Sequence, residues 1–277
     1  MGVLPGMRGE TMTAMATAGG LTELYGRYFE VVPARTPEQL ERAYRLRFLV
    51  YCVENAFEDR ADFPDGLERD RYDDHALHSL LIHRPTGAVA GTVRLILAAP
   101  ADGRLDLPLE RLVQPTPPFP PGVAEISRFA ISKDFRRRHT DGLYPDELAG
   151  EARSPQGESD ARLIPTMALG LMRAIVQMSA EAGATHWCAV MMPSLLRLLS
   201  RLGIRFHPIG RLIEYRGKRQ PCHRDADELL RQILAECPEI WEFLTDGGRV
   251  YPRRPGSALP ARVGIVPVHG WSPAPIR

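Results

Sequence analysis

An α/β layered domain built on a mixed sheet is predicted by three features of this 277-residue chain. Strand-like and helix-like runs alternate along it, the helical runs carry cap and stop residues, and 44% of the residues are hydrophobic, enough for one large core.

The first strand is YFEVVP (28–33), which alternates in polarity. Thr36, Pro37 and Gln39 then supply an N-cap, an N1 proline and a capping-box glutamine, so a helix is expected from Pro37 to Cys52. Residues 54–75 are rich in acidic side chains and poor in apolar ones, which reads as a long loop with one short turn. HSLLIH (78–83) and VAGTVRLILA (89–98), joined by Arg84-Pro85-Thr86-Gly87, read as a β-hairpin. A proline-rich connection leads to the strand AEISRFAI (124–131).

Residues 140–162 are polar and weakly periodic and read as an insertion. A buried helix follows from Pro165 to Ala182, closed by Gly183, then the strand THWCAVMM (185–192). A leucine-rich helix runs from Pro193 to Gly203, and strands near Phe206 and Leu212–Tyr215 complete the sheet. One last helix is expected from Asp225 to Leu244, before a tail rich in proline and arginine. The expected organisation is a start over residues 1–24 without regular structure, one catalytic-sized domain over 25–220, and a C-terminal helix and tail over 221–277.

Lys and Arg number 35 against 34 Asp and Glu, a formal charge of +1, so nothing draws the whole chain to nucleic acid or an anionic membrane. No apolar run approaches the roughly 18 residues that span a bilayer, and the first twenty residues lack a signal-peptide core. Cys52 and Cys188 lie in apolar runs, and with Cys222 and Cys237 they form no CxxC pair. Free buried thiols and a reducing cytoplasm are the expectation. No His/Cys set has zinc-ligand spacing, so no metal is expected, and Walker, GxGxxG and GxSxG motifs are absent.

Chemistry concentrates in AEISRFAISKDFRRR (124–138). Glu125, Ser127 and Arg128 interrupt an apolar strand, where ionisable groups are costly unless paired or used. In a regular strand Glu125 and Arg128 face opposite sides; a β-bulge between them turns both toward one cleft. The pattern leaves open whether they do so or merely pair with neighbours on the sheet surface. Arg47 and Arg94 also lie in apolar runs and call for carboxylates; Asp70, Asp73 and Asp74 stand at the end of the acidic loop. A network of Arg47, Arg94, Asp70, Asp73 and Glu125 satisfies them all. Arg136, Arg137 and Arg138 follow the strand where a loop could meet a phosphate, or form a solvated charge run.

Taken together, RLRFLVYCVENAFED, ERDRYDDHALHSLL, GTVRLIL and AEISRFAIS resemble the acyl-homoserine-lactone synthase branch of the GNAT-type acyltransferases. CVENAFED, PDGLERDRYD and FRRR are closer still to the acyltransferases associated with PEP-CTERM/exosortase systems and to the related N-acyl amino acid synthases. The resemblance, over residues 28–217, implies a three-layer GNAT-like fold whose central mixed, mostly antiparallel sheet is flanked by helices. It also implies an N-acyltransferase that moves a fatty acyl group from an acyl-carrier-protein or CoA thioester to the amine of a small molecule, with an amino acid as the expected acceptor.

By the same resemblance Glu125 is the base, Ser127 and Arg128 complete the catalytic strand signature, and Arg47, Asp70, Asp73, Arg94 and Phe57 line the substrate site. Arg136, Arg137 and Arg138 then meet the donor's phosphate or the carrier. No permanently bound cofactor is implied; acyl-ACP, with its phosphopantetheine, or acyl-CoA is a co-substrate. Two departures matter. Phe57 stands where the lactone synthases usually have tryptophan, which turns the expectation away from lactone chemistry. The phosphate loop of ordinary GNAT enzymes is not intact after Arg136, which favours acyl carrier protein as the partner. The rivals are lactone synthesis from S-adenosylmethionine and a catalytically idle GNAT fold acting as a binding module in an envelope or exopolysaccharide system. The acyl chain is expected between splayed parallel strands, against Met191 and Leu171.

Overall fold

A computed structural model describes residues 20–98, 105–114, 118–136 and 155–250. The first nineteen residues, Arg137 and Arg138, most of the expected insertion at 140–162 and the tail from residue 251 lie outside the described residues.

The chain enters through helix α1 (Leu21–Tyr28) and strand β1 (Phe29–Pro33). Helix α2 (Pro37–Phe48) starts at Thr36, whose side chain accepts from Gln39 N while Gln39 reaches back to the Thr36 amide, the predicted capping box. Instead of ending at Cys52 as one α-helix, it passes into a π-helical turn, Leu49–Glu54. Such turns widen a helix locally and gather at functional sites. The acidic loop holds two 3₁₀ turns, Arg60–Asp62 and Arg71–His75, where one was expected.

The predicted hairpin is β2 (Ala76–His83) and β3 (Ala88–Leu97). A short helix α3 (Pro108–Leu112) precedes β4 (Val123–Ile131), and α4 (Lys133–Arg136) follows it. Helix α5 (Pro155–Ala182) begins ten residues before the expected Pro165, which it carries inside. Then come β5 (His186–Met191), α6 (Pro193–Arg201) and the short strands β6 (His207–Pro208) and β7 (Ile213–Glu214).

Two expectations need correction here. An eight-residue strand, β8 (Lys218–Asp225), follows β7 where none was expected. The single C-terminal helix is two, α7 (Ala226–Glu236) and α8 (Pro238–Thr245), because Pro238 cannot continue α7 and instead opens α8. β8 crosses residue 220, and both helices pack on the same core: Phe243 meets the Tyr25 ring edge-on at 4.8 Å, and Glu239 accepts from Leu21 N at 2.6 Å.

The sheet order is β1-β2-β3-β4-β5-β8-β6, with β7 paired to β8. β4 and β5 are parallel and every other pairing is antiparallel, so the sheet is mixed and mostly antiparallel. Side chains alternate across β2: Leu80 packs with Ala43 of α2, and Leu81 joins the main core with Leu171 and Ile175 of α5. The two helices thus cover opposite faces and make three layers. Trp187 is buried beneath α5 and donates its indole N–H to Ser179 Oγ at 2.8 Å. The four cysteines are free and buried. Among the described residues no helix is long and apolar enough to cross a membrane.

β3 passes close to β4 at Gly91, where a Cβ would lie 2.8 Å from the Ala130 carbonyl oxygen, a backbone atom fixed by the sheet. Gly91→Ala is therefore expected to destabilise the fold by about 1–3 kcal/mol, as overpacking does. In urea the midpoint falls and the slope stays unchanged.

Candidate active site

The last turn of α2 delivers Arg47 to the interior, with 0% of its side chain exposed. Its Nε donates to Glu68 Oε2 at 2.5 Å, and its two terminal nitrogens take both oxygens of Asp73 at 2.7 and 3.1 Å. Arg94 of β3 donates to Asp70 at 2.6 and 3.1 Å, to Asp73 at 2.6 Å, and through Nε to Ser127 Oγ at 2.9 Å. Arg128 of β4 donates to Glu68 at 2.7 Å and Asp70 at 3.1 Å, and lies over the Tyr51 ring. Three arginines and three carboxylates thus close a neutral, charge-assisted network. It also shapes the loop: Asp73 accepts from Asp70 N at 2.7 Å, and Asp70 accepts from Tyr72 N at 2.9 Å, capping the turn that enters β2.

The sequence-predicted network is right in Arg47, Arg94, Asp70 and Asp73 and wrong in its fifth member. Glu68, 1% exposed, holds the place expected of Glu125, and Asp74 is exposed outside the network. The number of arginines in apolar runs was a usable signal: three such cations need a third carboxylate, and the acidic loop offered one.

β4 carries the bulge. Thr92 and Arg94 are two residues apart on β3, yet their partners Ala130 and Ser127 are three apart on β4. The extra residue falls at Arg128–Phe129, and Arg128 adopts a left-handed φ of 48°. Past the bulge the parallel partners separate. β4 and β5 pair only from Val123↔His186 to Ile126↔Ala189, after which Val190 and Met191 pair only with β8. A cavity of about 570 Å³ opens along this parting, and Glu125, Ser127, Arg128, Arg94, Asp70 and Phe57 all line it. Arg47 and Asp73 act behind its wall. Met191 lines the cavity with Leu195 and Leu198, whereas Leu171, expected beside the acyl chain, belongs to the main core and is not among the lining residues. Of the three expected donor arginines only Arg136 falls on described backbone, at the end of α4.

Glu125 stands apart from the ion pairs. It is 3% exposed, and its Oε2 accepts the Leu109 N–H at the start of α3 at 2.8 Å. Burial pushes its carboxyl up to about 8, against the smaller opposing pull of that amide and of Arg94 and Arg128. For Glu68, burial is outweighed by Arg128 and Arg47, which hold it far below the usual carboxylate range; Asp70 and Asp73 are likewise lowered by their arginines.

Sequence reasoning also missed Glu58, Arg216 and Arg219, which line the cavity. Glu58 pairs with Arg216 from the β7–β8 turn and lies 3.5 Å from Arg128, tying the acidic loop to the hairpin. Outside the cavity lining, Glu54 accepts from Lys133 N at 2.9 Å and from Ser132 Oγ at 3.1 Å. Among the described residues no set of His, Cys, Asp and Glu is arranged to hold a metal.

Against known proteins, the acetyltransferase (GNAT) domain profile matches residues 46–144, which hold every network residue and Glu125. An acyl-homoserine-lactone synthase of Ralstonia nicotianae is 29% identical over 148 residues, 53% of this chain. The chain spans 62% of that relative's length. Among solved structures, TofI in a ternary complex with an inhibitor and MTA is similar at a TM-score of 0.51 and 22% identity, over 75% of this chain and 95% of that one. BjaI, a CoA-dependent acyl-homoserine lactone synthase solved with MTA, is similar at 0.50 and 18%, over 80% and 89%. The fold is therefore GNAT-like, and the chain is related by sequence to an acyl-homoserine-lactone synthase.

Glu68 is bonded to two buried arginines, so Glu68→Gln leaves both short of a counter-charge and is expected to cost about 3 kcal/mol in urea unfolding at pH 7. Acid acts through the same region. Burial lowers the His78 imidazole from 6.5 to about 3, so it stays neutral in the fold while the unfolded chain takes up a proton below 6.5. His78 thus withdraws stability as pH drops from 6.5 toward 3. Glu125, whose buried carboxyl keeps its proton up to about 8, withdraws it as pH rises from the ordinary carboxylate range toward 8. The two oppose each other between about 4.5 and 6.5, and below about 4 the loss of the lowered carboxylates adds to that of His78. Urea melts of Glu125→Gln should therefore show the His78 fall below pH 6.5 uncancelled, and adding His78→Gln should flatten it while leaving the part below pH 4.

Proposed function

We propose that the protein is an N-acyltransferase, moving a fatty acyl group from a thioester to the amine of a small molecule, with an amino acid as acceptor. The observation that carries this reading is Glu125: a buried carboxyl with its pKa raised to about 8, facing a cavity at the point where two parallel strands part. A base of that strength matches an amine near neutral pH far better than an ordinary carboxylate does.

In this reading the thioester's acyl chain lies against Met191, Leu195 and Leu198. The amine nitrogen attacks the thioester carbonyl carbon and an N–C bond forms as Glu125 takes the proton, directly or through water. Beyond Ile126 the β4 edge facing β5 has no strand partner among the described residues, which supports its amides as the donors to the oxyanion in this reading. Collapse breaks the C–S bond, and the departing thiolate takes up the proton that Glu125 removed from the amine. Leu109 N–H holds the carboxyl in position throughout. Ser127 and Arg128 work through their contacts, Ser127 by accepting from Arg94 and Arg128 by fixing the bulge.

The donor is proposed to be acyl carrier protein, with CoA as the alternative, and Arg136, Arg137 and Arg138 its contact. The resemblance of CVENAFED, PDGLERDRYD and FRRR to the PEP-CTERM-associated group is what supports a cytoplasmic role in that setting. A second reading, lactone synthesis from S-adenosylmethionine, is favoured by the Ralstonia relative. Labelled methionine fed to an expressing host separates the two: label in an acyl-lactone supports the second reading, label-free N-acyl amino acid the first.

Glu125→Gln is expected to lower turnover about 10²–10⁴-fold with the fold intact by circular dichroism. For the native protein, kcat/KM should rise with pH and level off above about 8, the value to which burial brings Glu125. Unchanged turnover in the variant removes Glu125 as the base.

A further inference from the structure

Five arginines line the cavity, and four are neutralised: Arg69 by Asp65, Arg94 by Asp70 and Asp73, Arg128 by Glu68, Arg216 by Glu58. Arg219, at the start of β8, is the exception, with no carboxylate in ion-pair reach among the described residues. Its guanidinium lies 5.2 Å from the centre of the Phe57 ring, and its one hydrogen bond given by the structure is to the neighbouring Lys218 carbonyl at 3.2 Å. The hairpin turn presents it rigidly: Arg216 and Gly217 are both left-handed, at φ 51° and 86°, Tyr215 N bonds Gly217 O at 3.0 Å, and Ile213 pairs with Arg219. Partial burial disfavours its charge, against the smaller opposing pull of Tyr51, Tyr215 and Glu214, none of which is in ion-pair contact with it.

We propose that Arg219 is the residue that binds the acceptor's carboxylate, which docks on the Arg219 fork above Phe57. This rests on the acyltransfer reading. A planar fork on an aromatic platform suits the two oxygens of a carboxylate, and the charge sits in the same cavity as Glu125, which faces the amine. Along the sheet Gln220 pairs with Met191, and Glu125 pairs with Cys188. Arg219 is therefore displaced from Glu125 along β5, past the level of Met191, and the length between amine and carboxylate becomes a selectable feature of the substrate.

The test is calorimetric, with product-like probes: N-dodecanoyl derivatives of glycine and of 6-aminohexanoate, the carboxamide of each, and S-dodecanoyl-4′-phosphopantetheine. The native protein should bind at least one carboxylate about 10-fold or more tightly than its amide, the span of a charged hydrogen bond. In Arg219→Gln that preference should vanish with phosphopantetheine binding unchanged, and Arg219→Lys should keep part of it. A preference that survives in Arg219→Gln, or native binding without any preference, overturns the proposal and leaves acyltransfer standing. So does a variant that loses only the phosphopantetheine probe, which makes the anion the donor's phosphate. A native protein that binds none of the probes overturns both readings.

Discussion

The closed set of Arg47, Arg94 and Arg128 with Glu68, Asp70 and Asp73 is the constraint on which the site depends. Its members come from the end of α2, from β3, from β4 and from the acidic loop, so forming it fastens the loop to the sheet. Ionised groups so deep are tolerable only when every charge is met and hydrogen-bonded. That demand explains the left-handed φ of Arg128, a conformation costing about 1–2 kcal/mol for a non-glycine residue. The strain is offset by the contacts to Glu68 and Asp70 that the bulge makes reachable.

The bulge has a second consequence. It ends the regular course of β4 just where β5 leaves to run with β8, so the parallel pair lasts four residues and then opens. The polar network thereby meets apolar side chains from the end of β5 and from α6 in one cavity, which Asp70, Arg94 and Arg128 line together with Met191, Leu195 and Leu198. A reaction joining a polar amine to an apolar acyl chain needs both surfaces at one point. Glu125 stands at the last paired stretch of the two strands.

Most of the layer plan was legible because local chemistry declared it. Thr36 and Gln39 announced α2, and alternation announced β2 and β3. β8 was silent: KRQPCHRD has four charged residues and a proline, and it becomes a strand only because β5 and β6 flank it. Its Pro221 lies just past Cys222, where the register with β6 ends; its carbonyl still accepts from Ile209 N at 3.1 Å, and the N–H a proline lacks is missing only beyond the paired residues. The break at Pro238 was readable, but the continuous apolar period across it masked the boundary. In the site, Arg47, Arg94, Asp70 and Asp73 were legible as ions in apolar surroundings. Glu68 was not, since a glutamate among RD-rich neighbours looks like any solvated loop residue. Arg219 was beyond reach, because only folding sets the hairpin over Phe57.

The division between network and base has an energetic logic. Had Glu125 joined the ion pairs, as its sequence neighbours suggest, the arginines would hold its carboxyl low, as they do those of Glu68 and Asp73. An amine would then keep its proton, because an α-amino group binds protons with a pKa of about 8 and an ordinary carboxylate at about 4. With Glu68 as third partner the network is neutral without Glu125, whose closest polar contact given by the structure is one backbone amide. Burial then raises Glu125 to about 8, where proton exchange with an ammonium costs little free energy in either direction. A base fit for amine chemistry thus follows from the completeness of the ion network next to it, and Glu68 supports the chemistry by keeping the cations occupied.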